Sequence, residues 1–62
     1  MIIRKTPKNI KNYLMVDSDT SVILHEHGYY PKYMSMDGKH YYYVKTENII
    51  DFINQNNLIV LD

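Results

Sequence analysis

The apolar positions fall into short runs separated by Gly, Pro, Asp and Asn, and the period of those runs changes along the chain. Two Tyr-rich runs flank Met36-Asp37-Gly38-Lys39. Asp-Gly supplies the positive φ angles of a type I′ turn, whose twist matches that of the flanking strands, so the pattern predicts a β-hairpin with strands at about 30–36 and 40–45. With a two-residue loop, one face carries Pro31, Tyr33 and Ser35 opposite Val44, Tyr42 and His40. The other carries Lys32 and Met34 opposite Tyr43 and Tyr41. Both faces are then aromatic. A sheet covered on one side needs only one apolar face, so some of these rings are expected to be exposed or buried against a partner.

Beyond the hairpin the period changes to that of a helix. Thr46 is a good N-cap, Glu47 suits the positive helix start, and Ile49, Ile50, Phe52 and Ile53 form one stripe with Asp51, Asn54 and Gln55 opposite. A helix at about 46–56 is expected to pack on the hairpin; the Asn-rich run 54–57 ends it, and 58–61 reads as a short terminal strand. Upstream, the cluster Asp17-Ser18-Asp19-Thr20 and a left-handed cap at Gly28 bracket a short helix at about 19–27, although β-branched Val22 and Ile23 also suit a strand. Thr6-Pro7 suits a helix start, with Ile10, Tyr13 and Leu14 on one face, while 12–16 also reads as a strand. The predicted fold is α+β, one domain over 1–62: a hairpin packed by two helices, with extra strands near the two termini.

A chain of 62 residues holds one domain and a core that leaves only a few kcal/mol of net stability. Cysteine is absent, which excludes metal-thiolate sites, redox motifs and thiol nucleophiles and argues against a disulfide-rich secreted class. Burial must come from aliphatic and aromatic side chains or from a second copy of the chain, so a homodimer is the default expectation. The longest apolar runs are far short of a membrane span, and Met1-Ile2-Ile3-Arg4-Lys5 lacks the apolar segment of a signal peptide. The expected location is the cytoplasm of a bacterium or of an infected host cell. Usage biased towards Ile, Asn, Lys and Tyr points to an AT-rich bacterial, phage or mobile-element gene.

Formal net charge is zero, which argues against strong non-specific nucleic-acid binding. The charge is nevertheless segregated. Residues 1–11 carry Arg4, Lys5, Lys8 and Lys11 without an acid, and residues 12–27 carry Asp17, Asp19 and Glu26 without Lys or Arg. Lys32, Lys39 and Lys45 outweigh Asp37 in the hairpin, and from residue 46 the chain is acidic.

Candidate chemistry is sparse. His25 and His27 point to nearly opposite sides of a helix, whereas helical chelation needs i, i+4 spacing; His40 lies far off in sequence, and no metal is expected. Ser18, Ser21 and Ser35 sit in nothing like a nucleophile elbow, and Gly28 and Gly38 each have a structural reason, so no phosphate loop is present. The chain is expected to be non-enzymatic, with no cofactor and no small-molecule substrate. Tyrosine combines a rigid apolar face with a polar tip, which suits it to protein interfaces and to stacking on bases. Tyr30, Tyr33, Tyr41, Tyr42 and Tyr43 are therefore the candidate contacts. A protein partner, self or other, is favoured over nucleic acid because the adjacent positive charge is modest. The alternative is a nucleic-acid surface of Arg4, Lys5, Lys8, Lys11, Lys32, Lys39 and Lys45.

Two resemblances follow from the order of these signals. Over residues 20–53, a short helix, Gly28-Tyr29-Tyr30-Pro31, a hairpin, Tyr41-Tyr42-Tyr43, Lys45-Thr46-Glu47 and Ile49 to Ile53 resemble short phage-type proteins of helix–hairpin–helix layout, which implies no particular activity. Over about 6–56, Thr6, Leu14, Val16, Gly28, Pro31, Lys45 and Phe52 fall where small winged-helix excisionase-like proteins have similar residues. That likeness implies a helix at 20–27 in the major groove and Lys32, Lys39 and Lys45 on phosphates. The helix has no Arg, Lys, Asn or Gln to read a base edge, and Asp17, Asp19 and Glu26 would face phosphates. Protein contact fits this residue pattern better than DNA reading.

Overall fold

Period-two alternation wins at residues 13–17. In the computed structural model, which describes residues 2–61, strand β2 (Tyr13–Asp17) buries Leu14 and Val16 and turns Tyr13, Met15 and Asp17 to the opposite face. The helix that Thr6-Pro7 could have started does not form; a single 3-10 turn at Ile10–Asn12 precedes β2 instead. Around β2 the chain adds β1 (Ile3–Arg4), α1 (Ser18–Glu26), β3 (Tyr33–Met34), β4 (His40–Val44) and α2 (Glu47–Gln55). The architecture is α+β, a hairpin packed by helices, as the pattern predicts.

The four strands form one mixed sheet in the order β1-β3-β4-β2. β4 is central, antiparallel to β2 over Tyr13↔Val44 to Asp17↔His40 and antiparallel to β3 at Tyr33↔Tyr42 and Met34↔Tyr41. The hairpin register is therefore the expected one, but the turn is not type I′. Of its residues only Gly38 has positive φ, +75°, and the Gly38 N–H donates to the Ser35 carbonyl at 3.0 Å. Asp37 instead ties the turn together, accepting from the Ser35 hydroxyl at 2.5 Å and from the Lys39 N–H at 3.0 Å. These bonds to its ionised form hold the Asp37 carboxyl below the usual carboxylate range.

Both helix ends of α1 are closed by the residues that sequence reasoning singled out. Asp17 Oδ1 accepts from the Thr20 N–H at 2.8 Å, and Gly28, at φ +88°, lets the Tyr29 N–H return to the Leu24 carbonyl at 2.9 Å. In α2, Thr46 Oγ1 accepts from the Ile49 N–H at 3.3 Å, and left-handed Asn57 closes the other end. The terminal strand expected at 58–61 reduces to one bridge, Leu61 N–H to the Met15 carbonyl at 2.7 Å.

The core lies between the sheet and the two helices. Leu14, Val16 and Tyr43 meet Leu24 of α1 and Ile49 and Ile53 of α2, with Tyr29, Tyr41, Phe52, Leu58 and Val60 packed at the margin. Leu24 is the one large apolar side chain that α1 buries; its companions are Thr20 and Ser21. Burying a leucine contributes about 2 kcal/mol, no more than an unpaired buried hydroxyl costs. The seat of α1 therefore depends on the bond between Ser21 Oγ and the Tyr43 hydroxyl, 2.6 Å apart and buried. Burial also raises the pKa of Tyr43 above that of a free phenol.

The opposite face is closed differently. β1, β2 and β3 run parallel, so two crossovers join them: residues 5–12 carry the chain from β1 to β2, and α1 carries it back from β2 to β3. The two step across the sheet in opposite directions, so the common right-handed preference of such connections sends them over opposite faces. Pro7, buried within the 5–12 crossover, lines a cleft together with Tyr13 and Tyr33 on the helix-free face. Those two rings meet edge to face at 5.4 Å across β4. Tyr42, beneath them, is 5% exposed. The second aromatic face is thus covered from within the chain and not by a partner, contrary to the expectation for Tyr42.

Replacing Tyr43 by Phe is expected to strand the Ser21 hydroxyl and destabilise the protein by about 1–3 kcal/mol in urea unfolding. Adding Ser21→Ala should recover part of that loss, and strictly additive effects would show the two hydroxyls to be independent.

Candidate functional site

The five candidate tyrosines do not form one surface. Tyr43 is 1% exposed and belongs to the core, Tyr42 is closed off under the crossover, and Tyr33 is half-buried against Tyr13. The physical reason is the position of β4: flanked on both sides, it sends alternate side chains into two covered layers. Only Tyr30, 67% exposed, and Tyr41, half-buried, remain beside a common surface.

That surface is a groove of about 400 Å³ between α1 and the β1–β3 side of the sheet, walled by Ile2, Val22, His25, Pro31 and Tyr41. It exists because α1 and α2 pack over β2 and β4. His25 continues the wall outward through an edge-to-face contact with Tyr30, ring centroids 4.9 Å apart. Ser18 and Glu26 supply polar groups at the helix side. The wall is built by a helix whose pattern is inverted. α1 buries Thr20 and Ser21 but leaves Val22 56% and Ile23 38% exposed, so its β-branched pair, ambiguous in sequence between helix and strand, faces outward from a helix. Ile2, Val22 and Tyr13 were not among the candidate residues. The signal available for Val22 was its place between the cap cluster and Gly28, which fixes a helix and then leaves two apolar residues on turns that a single leucine already anchors.

The groove offers apolar contact and little chemistry. The hydroxyl of Ser21 is committed to Tyr43. The three histidines are dispersed: His25 stacks on Tyr30, His27 Nδ1 lies 2.9 Å from the Ile23 carbonyl with its ring on Phe52, and His40 begins β4. Among the described residues, no three His, Asp or Glu side chains form a cluster able to hold a metal ion. No described helix is long and apolar enough to cross a membrane.

The seven cations of the alternative site are all exposed and all lie outside α1 and α2. Arg4, Lys5, Lys8 and Lys11 lie along β1 and the crossover. Lys45 is joined to the crossover through its N–H, which donates to the Asn12 carbonyl at 3.1 Å, and Lys32 adjoins β1 through its carbonyl and the Ile3 N–H at 3.0 Å. Lys39 stands apart in the hairpin turn beside Asp37. The winged-helix order is not the one this chain adopts, because β2 stands where that layout has a helix. Compared with known proteins, the chain matches no family model, no curated protein and no solved structure.

The groove wall depends on the cap at Asp17. Hydrogen bonds from the Thr20 N–H and hydroxyl hold its carboxyl below the usual range. A depressed folded pKa adds stability that is present above the unfolded value and is lost as pH falls through the folded one. Asp17→Ala is therefore expected to lower Tm at neutral pH, and the gap from the parent should close as the pH drops below the ordinary carboxylate range. A gap that stays constant down to the lowest pH would remove the charged cap from the account.

Proposed function

We propose that the chain is a non-enzymatic protein-interaction module that docks through the groove between α1 and β1, first with a second copy of itself and otherwise with a larger protein. The observation that carries this reading is the inverted helix: α1 turns Val22 and Ile23 outward while burying Thr20 and Ser21. Exposed apolar side chains gathered beside a groove mark contact surfaces, whereas isolated ones need no explanation. Here Val22, Ile2, Pro31 and Tyr41 line one depression and Tyr30 extends it. Tyr30 and Tyr41 are the anchors from the hairpin region, because an amphipathic ring can be half-buried in the free chain and wholly buried in a complex. Tyr42 and Tyr43 serve the fold, and Tyr33 lies on the face of the sheet opposite the groove. A two-fold dimer would set the same patch against itself and shield both exposed helix faces at once. The phage or mobile-element setting rests on the Ile-, Asn-, Lys- and Tyr-rich composition and on the order of elements.

Size-exclusion chromatography with light scattering at high concentration is expected to give a dimer, and Val22→Glu is expected to return a folded monomer with an unchanged circular dichroism spectrum. A parent chain that stays monomeric and captures nothing in a pull-down with its genomic neighbours would overturn the reading.

A further inference from the structure

Net neutrality hides a separation of charge between the two faces. α1 and α2 contain no Lys or Arg and carry Asp19, Glu26, Glu47 and Asp51, with Asp17 as a cap. On the other face the crossover carries Lys5, Lys8 and Lys11, and Lys45 adjoins it at Asn12. Two adjoining depressions lie along this basic stretch. One, of about 260 Å³, has Lys5, Lys8, Asn9, Asn12, Tyr13 and Tyr33 in its wall. The other, of about 410 Å³, shares Lys8, Asn9 and Asn12 and adds Lys11. No acidic residue lines either one.

We propose that this crossover face binds single-stranded nucleic acid, with Lys5, Lys8 and Lys11 tracking the phosphates and the Tyr13–Tyr33 pair meeting a base. The occupant is set by charge and ring chemistry together. Cations spaced along a groove follow a polyanion backbone, and aromatic rings in the same groove stack on bases without regard to sequence. The edge-to-face arrangement of Tyr13 and Tyr33 leaves ring surface in the cleft wall that a base can cover. Asn9 and Asn12 add side-chain donors and acceptors for base edges or phosphates. Duplex DNA fits less well, because the elements that could enter a groove are the acid-bearing helices on the far side. The site lies opposite the docking groove and does not depend on the interaction reading.

The test is fluorescence anisotropy with a labelled oligothymidylate of about twelve nucleotides at low salt. Binding is expected, with a log–log salt slope near −2 for about three phosphate contacts on a single strand. Lys5→Glu combined with Lys8→Glu should weaken binding at least about tenfold and flatten that slope to shallower than about −1. Tyr33→Leu, checked for folding by circular dichroism, should weaken binding by about tenfold with the slope unchanged. Ile59→Ser, at an exposed position outside both surfaces, should bind undiminished. Absence of binding by the parent, insensitivity to the lysine changes, tighter binding of the matching duplex, or equal affinity for polyglutamate would each overturn the proposal.

Discussion

Everything in this fold follows from the burial of β4 on both of its edges and both of its faces. A strand in the middle of a sheet sends alternate side chains to opposite sides, and β4 reads His-Tyr-Tyr-Tyr-Val. Tyr41 and Tyr43 turn towards the helices, Tyr42 turns away, and a chain of this size must cover both sides. It does so by running one crossover over each face: α1, with α2 beside it, above Tyr43, and residues 5–12 above Tyr42. The helical layer is held by few large groups, which gives the Ser21–Tyr43 hydrogen bond and the cap at Asp17 their weight.

What was legible in the sequence was local. The hairpin register follows from the Asp-Gly position, and the ends of both helices follow from Asp17, Gly28, Thr46 and the Asn run, because caps and turns are set by residues within four positions of one another. The turn type was misjudged because Asp37 uses its carboxylate to bind Ser35 and Lys39 and never needs positive φ. The parallel pairing of Ile3 with Tyr33 was not legible. Two exposed residues carry no periodicity, and their partner lies thirty positions away across a connection that no local signal announces. With that pairing unseen, the second aromatic face looked uncovered and the tyrosines looked adhesive. The groove was hidden for a related reason: β-branched Val22 and Ile23 suit helix and strand alike until α1 is seen to bury Thr20 and Ser21 and turn them outward.

The same topology separates the chemistry of the two faces. Because the crossover that closes the Tyr42 side carries Lys5, Lys8 and Lys11 and the helices carry most of the acids, the molecule is neutral in sum and polar in arrangement. Tyr13, which in the sequence suits a helix face with Ile10 and Leu14 or a strand over 12–16, becomes part of that basic face through its contact with Tyr33. The proposed docking groove on the helical side and the proposed nucleic-acid cleft on the other can be occupied together, which would suit a small adaptor that brings a protein to a single strand.

The central claim is that residues 5–12 cross the helix-free face because β1 pairs with β3. The most direct measurement is a proton NOESY spectrum of the intact chain. Cross-peaks from Pro7 to the ring protons of Tyr13 or Tyr33, together with contacts between Ile3 and both Lys32 and Tyr33, are the expected result. Random-coil shifts over 2–12 and no such cross-peaks, while β2, β3 and β4 stay paired, would contradict it and leave Tyr42 in need of another cover.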